Sequence, residues 1–139
     1  MRPMNADERD VRAWLAEFEG VCRSRDFDAG RRMFAPHAIA FGTWAKAVRG
    51  LENVEREQWR NVWPRIREFR FEEPVVSAAA DMAWIAAEWS SQATGPDGRD
   101  FTRHGRATFA LERGEGSWRC VHSHLSLLPS QSESAHGRL

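Results

Sequence analysis

The chain has 139 residues, the size of one domain, and its 42% hydrophobic and 29% charged residues are the composition of a globular protein rather than a disordered one. Twenty Lys+Arg balance 20 Asp+Glu, so the net charge is zero, which argues against a broad electrostatic grip on nucleic acid or an anionic membrane. No apolar run reaches bilayer length and the N-terminus lacks a signal-peptide core, which points to a cytoplasmic protein.

Asn5 and Glu8 form an N-cap with a reciprocal partner three residues on. After them Val11, Trp14, Leu15, Phe18, Val21 and Cys22 recur at helical spacing, predicting an amphipathic helix over about 7–23. Asp28 is suited to cap a second, short helix that runs through Phe34 and is ended by Pro36. Ala38 to Phe41 reads as a strand with Ile39 and Phe41 on one face. Gly50 opens a third helix, with Leu51, Val54, Trp59, Val62 and Trp63 on its apolar side.

From Phe69 the period changes to two. Strands are predicted over 83–92, 101–112 and 118–127, separated by Gly95-Pro96-Asp97-Gly98 and Gly114-Glu115-Gly116. Residues 1–6 form a lead, 7–128 one domain, and 129–139 a polar tail expected to be disordered. Helices followed by long strands predict an α+β domain: three N-terminal helices packed on one face of a curved antiparallel sheet.

Both turns read as three-residue loops with a Gly bulge, so Gly95 pairs with Arg99 and Arg113 with Ser117. This register gives one apolar face (Ile85, Ala87, Trp89, Ser91, Arg103, Ala107, Phe109, Leu111, Val121, Ser123, Leu125) and one mixed face (Trp84, Glu88, Ser90, His104, Arg106, Thr108, Trp118, Cys120, His122, His124, Ser126). On the mixed face Glu88, Arg106 and His124 fall in one row, with His104 diagonal to His124. Such a row suits acid–base work beside an anion, or an ion pair on a surface or in a subunit interface. A two-residue turn at either loop changes the partners.

His122 and His124 point the same way, as metal ligands must, but a third ligand would have to come from His104 or Glu88 and no metal-spacing motif is present, so no metal site is expected. Cys22 and Cys120 fall at apolar positions and read as buried hydrophobes. There is no Tyr, and Lys46 is the one lysine, so phenol or imine chemistry has little to draw on. Trp14, Trp59, Trp63 and Trp89 converge between helices and sheet, as core or as the wall of a cavity.

Arg25-Asp26-Phe27-Asp28, Met33-Phe34-Ala35, Gly50-Leu51-Glu52 and the stretch from Arg106-Ala107-Thr108 through Gly116-Ser117-Trp118-Arg119-Cys120-Val121-His122-Ser123-His124-Leu125-Ser126 resemble the nuclear-transport-factor-2-like superfamily. The likeness covers about residues 7–128. It is strongest to the SnoaL-like branch, and extends to the association domain of calcium/calmodulin-dependent kinase. The resemblance implies a cone-shaped, cystatin-like α+β fold, a pocket between helices and sheet, and a homodimer formed through the outer sheet face. On that model the apolar face is the pocket wall, and Glu88, His104, Arg106, His122 and His124 lie on the outer face.

The catalytic residues of that superfamily do not transfer. The ketosteroid isomerase base falls at Gly42 and the oxyanion-hole tyrosine at Phe18, and neither side chain can do that chemistry. The arginines that line the kinase association-domain pocket fall at Trp89, Phe109 and Leu125. The sheet wall offers only Arg103, Ser91 and Ser123 as polar groups.

The leading expectation is a homodimer that binds a small, largely apolar molecule in a pocket of Phe18, Phe41, Trp59, Trp63, Trp89, Phe109 and Leu125, with Arg103 near its mouth and no cofactor. A second is an isomerase, dehydratase or hydrolase of a polyketide-like or aromatic substrate, with Arg103 orienting an oxyanion and Asp26 or Asp28 as base. A third is a structural dimer module.

Overall fold

Asn5 begins the first helix as its sequence suggests. Its side-chain Oδ1 accepts from the Glu8 backbone amide at 2.8 Å, and its side-chain Nδ2 donates to the Glu8 carboxylate at 3.1 Å. The computed structural model describes residues 3–129, and over them the chain runs from this cap into α1 (Ala6–Ser24). Arg25 closes α1 in the left-handed conformation, φ 57°. The short α2 (Phe27–Met33) is capped by Asp26, which accepts from the Ala29 amide at 3.0 Å. The expected cap, Asp28, lies in the first turn instead and pairs with Arg31.

The first strand, β1 (Phe34–Phe41), starts at once, so Pro36 sits inside a strand rather than ending a helix. Proline is tolerated there because β1 loses register with its neighbour between Phe34 and Ile39. After β2 (Val48–Arg49) comes one helical segment in four pieces: α3 (Leu51–Val54), a π-helical turn (Glu55–Trp59), α4 (Arg60–Val62) and a 3-10 turn (Trp63–Arg65). Four long strands follow: β3 (Ile66–Ala78), β4 (Met82–Thr94), β5 (Asp100–Gly114) and β6 (Ser117–Leu127).

The strands form one sheet in the order β2-β1-β6-β5-β4-β3. All neighbours are antiparallel except β1 and β6, so the sheet is mixed where sequence alone suggested a purely antiparallel one. The β1–β6 pairing joins the two ends of the domain, a long-range contact that no local pattern announces. In β3, Glu68 (φ 53°) and Glu73 (φ 47°) mark two breaks in register with β4. These bulges curl β3 around α1. The helix holds the curled strand by two contacts: Arg12 donates to the Pro74 carbonyl at 3.1 Å, and Glu19 accepts from the Phe71 amide at 2.8 Å.

The β4–β5 turn has the expected register: the Gly95 amide donates to the Arg99 carbonyl at 2.9 Å and Glu88 faces Arg106. The β5–β6 turn does not. Glu115 (φ 47°) and Gly116 (φ 85°) form a two-residue turn, so Arg113 faces Trp118 instead of Ser117. This one-residue shift carries Trp118 and Cys120 onto the inner face, where both are buried. A bulge then leaves Val121 without a partner between the Leu111–Cys120 and Ala110–His122 pairs. It restores the alternation, so Ser123 and Leu125 face inward and His122 and His124 outward. The row changes as a result: His124 faces Thr108, and Arg106 faces Ser126.

The core lies between α1, the Leu51–Arg65 segment and the inner sheet face. Phe18 is its hub, with ring centroids of Trp14, Phe34, Trp63 and Phe109 all within 6.0 Å.

Candidate functional site

The π-helical turn at Glu55–Trp59 inserts an extra residue into the helical segment just before its aromatic end. Trp59 and Trp63 then stack on each other, 4.7 Å between centroids and 16° between planes. Phe27 stacks on Trp63 at 5.1 Å, and Arg60 lies over Phe27 at 4.2 Å. Gly30 of α2 makes room for the pair: a Cβ there would stand 2.9 Å from the Trp59 ring. Each such aromatic contact adds about 0.5–1.5 kcal/mol beyond the area it buries.

Opposite this pair is Trp89 of β4. Its indole lies across β5 at Gly105, where a Cβ would meet ring atoms at 2.2 Å, and its Nε1 donates to the Arg106 carbonyl at 3.1 Å. Between Trp89 and the Trp59–Trp63 pair is a cavity of about 50 Å³. Phe18, Trp59, Trp63, Trp89, Arg103 and Leu125 are among the residues that line it. Phe41 is at the rim, but its ring is turned to the outside, edge-on to His122 at 4.9 Å and His124 at 5.4 Å. Phe109 is outside the lining altogether. It is fully buried beneath it, against Trp14, Phe18 and Phe71. Trp14 belongs to that deeper layer too.

The lining is poor in acids and bases. Among the described residues it contains no Asp, Glu or His, and its polar side chains are Cys22, Thr43, Gln58, Arg103 and Ser123. Burial and the nearby Glu19 carboxylate push the Cys22 thiol well above its ordinary pKa, against a smaller opposing effect of Arg23. Gln58 is placed by its own hydrogen bond, accepting from the Ala45 amide at 3.0 Å. Its carboxamide fills the space a side chain at position 42 would need, 2.1 Å from a Cβ built on Gly42. The position that the isomerase resemblance assigns to a base is thus occupied by a neutral amide. Asp26 and Asp28 are both exposed at the start of α2, the first tied to the Ala29 amide and the second to Arg31, and neither lines the cavity.

Arg103 is different in kind. It is half-buried on the inner face, and among the described residues no carboxylate pairs with it. Its guanidinium lies 5.3 Å from the centroid of the Trp89 ring. Burial holds its pKa below the usual arginine value. A second, outer chamber of about 200 Å³ meets the cavity at this residue and shares Thr43, Val62, Ile66 and Arg103 with it. Its walls include Trp44 and Phe101, 55% and 48% exposed, with Arg65 over the Trp44 ring at 4.7 Å.

The outer sheet face carries the other predicted residues. Glu88 and Arg106 are opposite one another and both exposed. His124 is exposed and lies opposite Thr108, two residues from its expected place beside Arg106; His104 faces Ser90. His122 presents Nδ1 to the Ile39 carbonyl at 2.8 Å, so that nitrogen carries the proton and donates. Among the described residues no group of three or more His, Cys, Asp or Glu is placed to hold a metal ion.

Several residues of the site escape a reading of single positions. Gln58 is a polar residue in an apolar-periodic helix, and Gly42 and Gly105 are small residues whose role is the space they leave. A Gly inside a strand signals a close approach, and Gly105 is that signal. Thr43 and Trp44 reach the site from the loop after β1, and Ile66 from the first position of β3.

A family model described as the SnoaL-like domain matches residues 11–130. The chain belongs to the SnoaL-like domain family. No curated protein matches it by sequence. Solved structures similar to this SnoaL-like domain include a calcium/calmodulin-dependent protein kinase II association domain-like protein from Xanthomonas campestris (18% identity, TM-score 0.78, 93% of each chain covered). Another is an uncharacterised cystatin-like protein from Caulobacter vibrioides (14% identity, TM-score 0.76, 95% of this chain and 96% of that one). A third is a ketosteroid isomerase-like protein from Erwinia carotovora atroseptica (16% identity, TM-score 0.76, 90% of this chain and 98% of that one). At these identities the likeness is one of fold: helices on a curved, cystatin-like sheet. Among the described residues no helix is long and apolar enough to cross a membrane.

Proposed function

We propose that this SnoaL-like protein is a cytoplasmic homodimer that binds a small, largely apolar molecule between its helices and its sheet. The observation that carries this reading is the cavity between the Trp59–Trp63 stack and Trp89, which is lined mainly by aromatic and aliphatic groups. Binding is favoured over acid–base catalysis because no carboxylate or imidazole of the described residues enters the lining, and Asp26 and Asp28 are in solvent. Homodimerisation through the outer sheet face is supported by Trp84, 47% exposed, with Met82 and Val75 on the same face beside the Glu88–Arg106 pair.

The test is a titration of the intrinsic tryptophan fluorescence with small aromatic compounds, alongside a thermal shift. The reading expects saturable quenching and a raised melting temperature, both weakened by Trp63→Leu. A panel that neither quenches nor stabilises would leave the dimer module as the better account. Sedimentation tests the dimer separately: Trp84→Glu is expected to give monomers with the cavity unchanged, and a monomeric parent protein would remove the interface.

A further inference from the structure

The geometry points to an amphipathic aromatic monoanion as the ligand, its apolar body in the inner cavity and its carboxylate or other oxyanion held by Arg103, which separates that cavity from the outer chamber. This deepens the binding reading above and rests on it.

Three observations carry it. First, the inner cavity alone is small, about 50 Å³, whereas the adjoining outer chamber offers about 200 Å³. A ligand of useful size must extend past Arg103 into that chamber. Second, Arg103 is a half-buried cation without a protein counter-ion among the described residues, whereas Arg31, Arg60, Arg67 and Arg113 all have carboxylate partners. A partly desolvated guanidinium is stabilised by a planar anion that accepts two hydrogen bonds. Third, its guanidinium lies 5.3 Å from the centroid of the Trp89 ring, and that indole is itself fixed by the Arg106 carbonyl and by the space at Gly105, so the cation rests against a wall that does not move. Beyond it, Trp44 and Phe101 are large exposed aromatics that both line the outer chamber, a lining suited to an aromatic ligand. The ligand carries one negative charge because Arg103 is the cation shared by the two chambers, whereas Arg65, in the outer wall, lies over the Trp44 ring.

The experiment compares benzoate and 2-naphthoate, each against its neutral alcohol, by calorimetry and tryptophan quenching. The wild-type protein is expected to prefer at least one carboxylate over its alcohol about tenfold or more, and Arg103→Gln to abolish that preference by weakening the carboxylate far more than the alcohol. If Arg103→Gln does not fold, Arg103→Lys replaces it, and the preference is expected to shrink but persist. Equal binding of acid and alcohol by the wild type, or a preference that survives Arg103→Gln, overturns the anion subsite and leaves the apolar pocket standing. Absence of binding by all four compounds overturns both.

Discussion

Trp89 occupies the space that Gly105 leaves empty. The indole, 2% exposed, lies flat across the neighbouring strand and forms one wall of the cavity while anchoring its own Nε1 on the Arg106 carbonyl. A Cβ at position 105 would stand 2.2 Å from the ring and 2.3 Å from the Ser126 carbonyl, and backbone cannot step aside as a flexible side chain can. Gly105→Ala is therefore expected to destabilise the fold by about 1–3 kcal/mol, the usual cost of overpacking, and to shift the tryptophan emission. Urea unfolding followed by fluorescence measures both.

Glu55 is a buried carboxylate between two arginines, with Arg31 and Arg60 both bonded to it. Burial raises its pKa, but the hydrogen bonds and charges of Arg31 and Arg60 outweigh burial and hold it below the ordinary glutamate value. A lowered folded-state pKa means stability that is complete above the unfolded value, about 4.3, and lost as the pH falls through the folded value. Glu55→Gln is expected to cost about 1–2 kcal/mol at pH 7, since both arginines stay partly in water. The gap between the two proteins should narrow below about pH 4. Thermal melts from pH 7 to pH 3 would show it, and a constant gap would mean that Glu55 is not the ionised partner.

The turn between β5 and β6 asks Glu115 to adopt φ 47° ahead of Gly116 at φ 85°. A left-handed conformation costs an ordinary residue about 1–2 kcal/mol, and Asn tolerates it better. Glu115→Asn is expected to stabilise the protein by about 0.5–1 kcal/mol, and Gly116→Val to destabilise it by at least about 1 kcal/mol. Chemical denaturation of the two variants checks the pair.

Cys22 and Cys120 are both buried, and burial is the main cause that raises both thiol pKa values. Neither should react with a bulky disulfide reagent at pH 8 while the protein is folded, and both should react in denaturant. A thiol count before and after unfolding decides it. Rapid reaction in the native state would show that the cavity beside Cys22 opens to solvent.

Much of this was legible in the sequence because local signals and the global fold agree. The Asn5–Glu8 cap, the apolar stripe from Val11 to Cys22 and the Gly95–Gly98 turn each name their own geometry. The Glu88–Arg106 pairing followed from that turn alone. What failed was governed by one residue of register. Gly114-Glu115-Gly116 admits a three-residue or a two-residue turn, and the chain takes the second, then corrects the slip with a bulge at Val121. Trp118 and Cys120 consequently lie inside, and His124 meets Thr108 rather than Arg106. The site divided in the same way. Trp59, Trp63 and Trp89 are periodic apolar positions and were visible as such, whereas the parallel pairing of β1 with β6, the π-helical turn and the outer chamber by Trp44 depend on contacts between distant segments.

The most direct test of the binding account is a crystal structure of the protein equilibrated with 2-naphthoate. The account predicts density for the ring system between Trp63 and Trp89, reaching toward Trp44, with the carboxylate within hydrogen-bond distance of Arg103. A cavity left empty or closed by the indoles, with the compound absent or bound elsewhere on the surface, would contradict it.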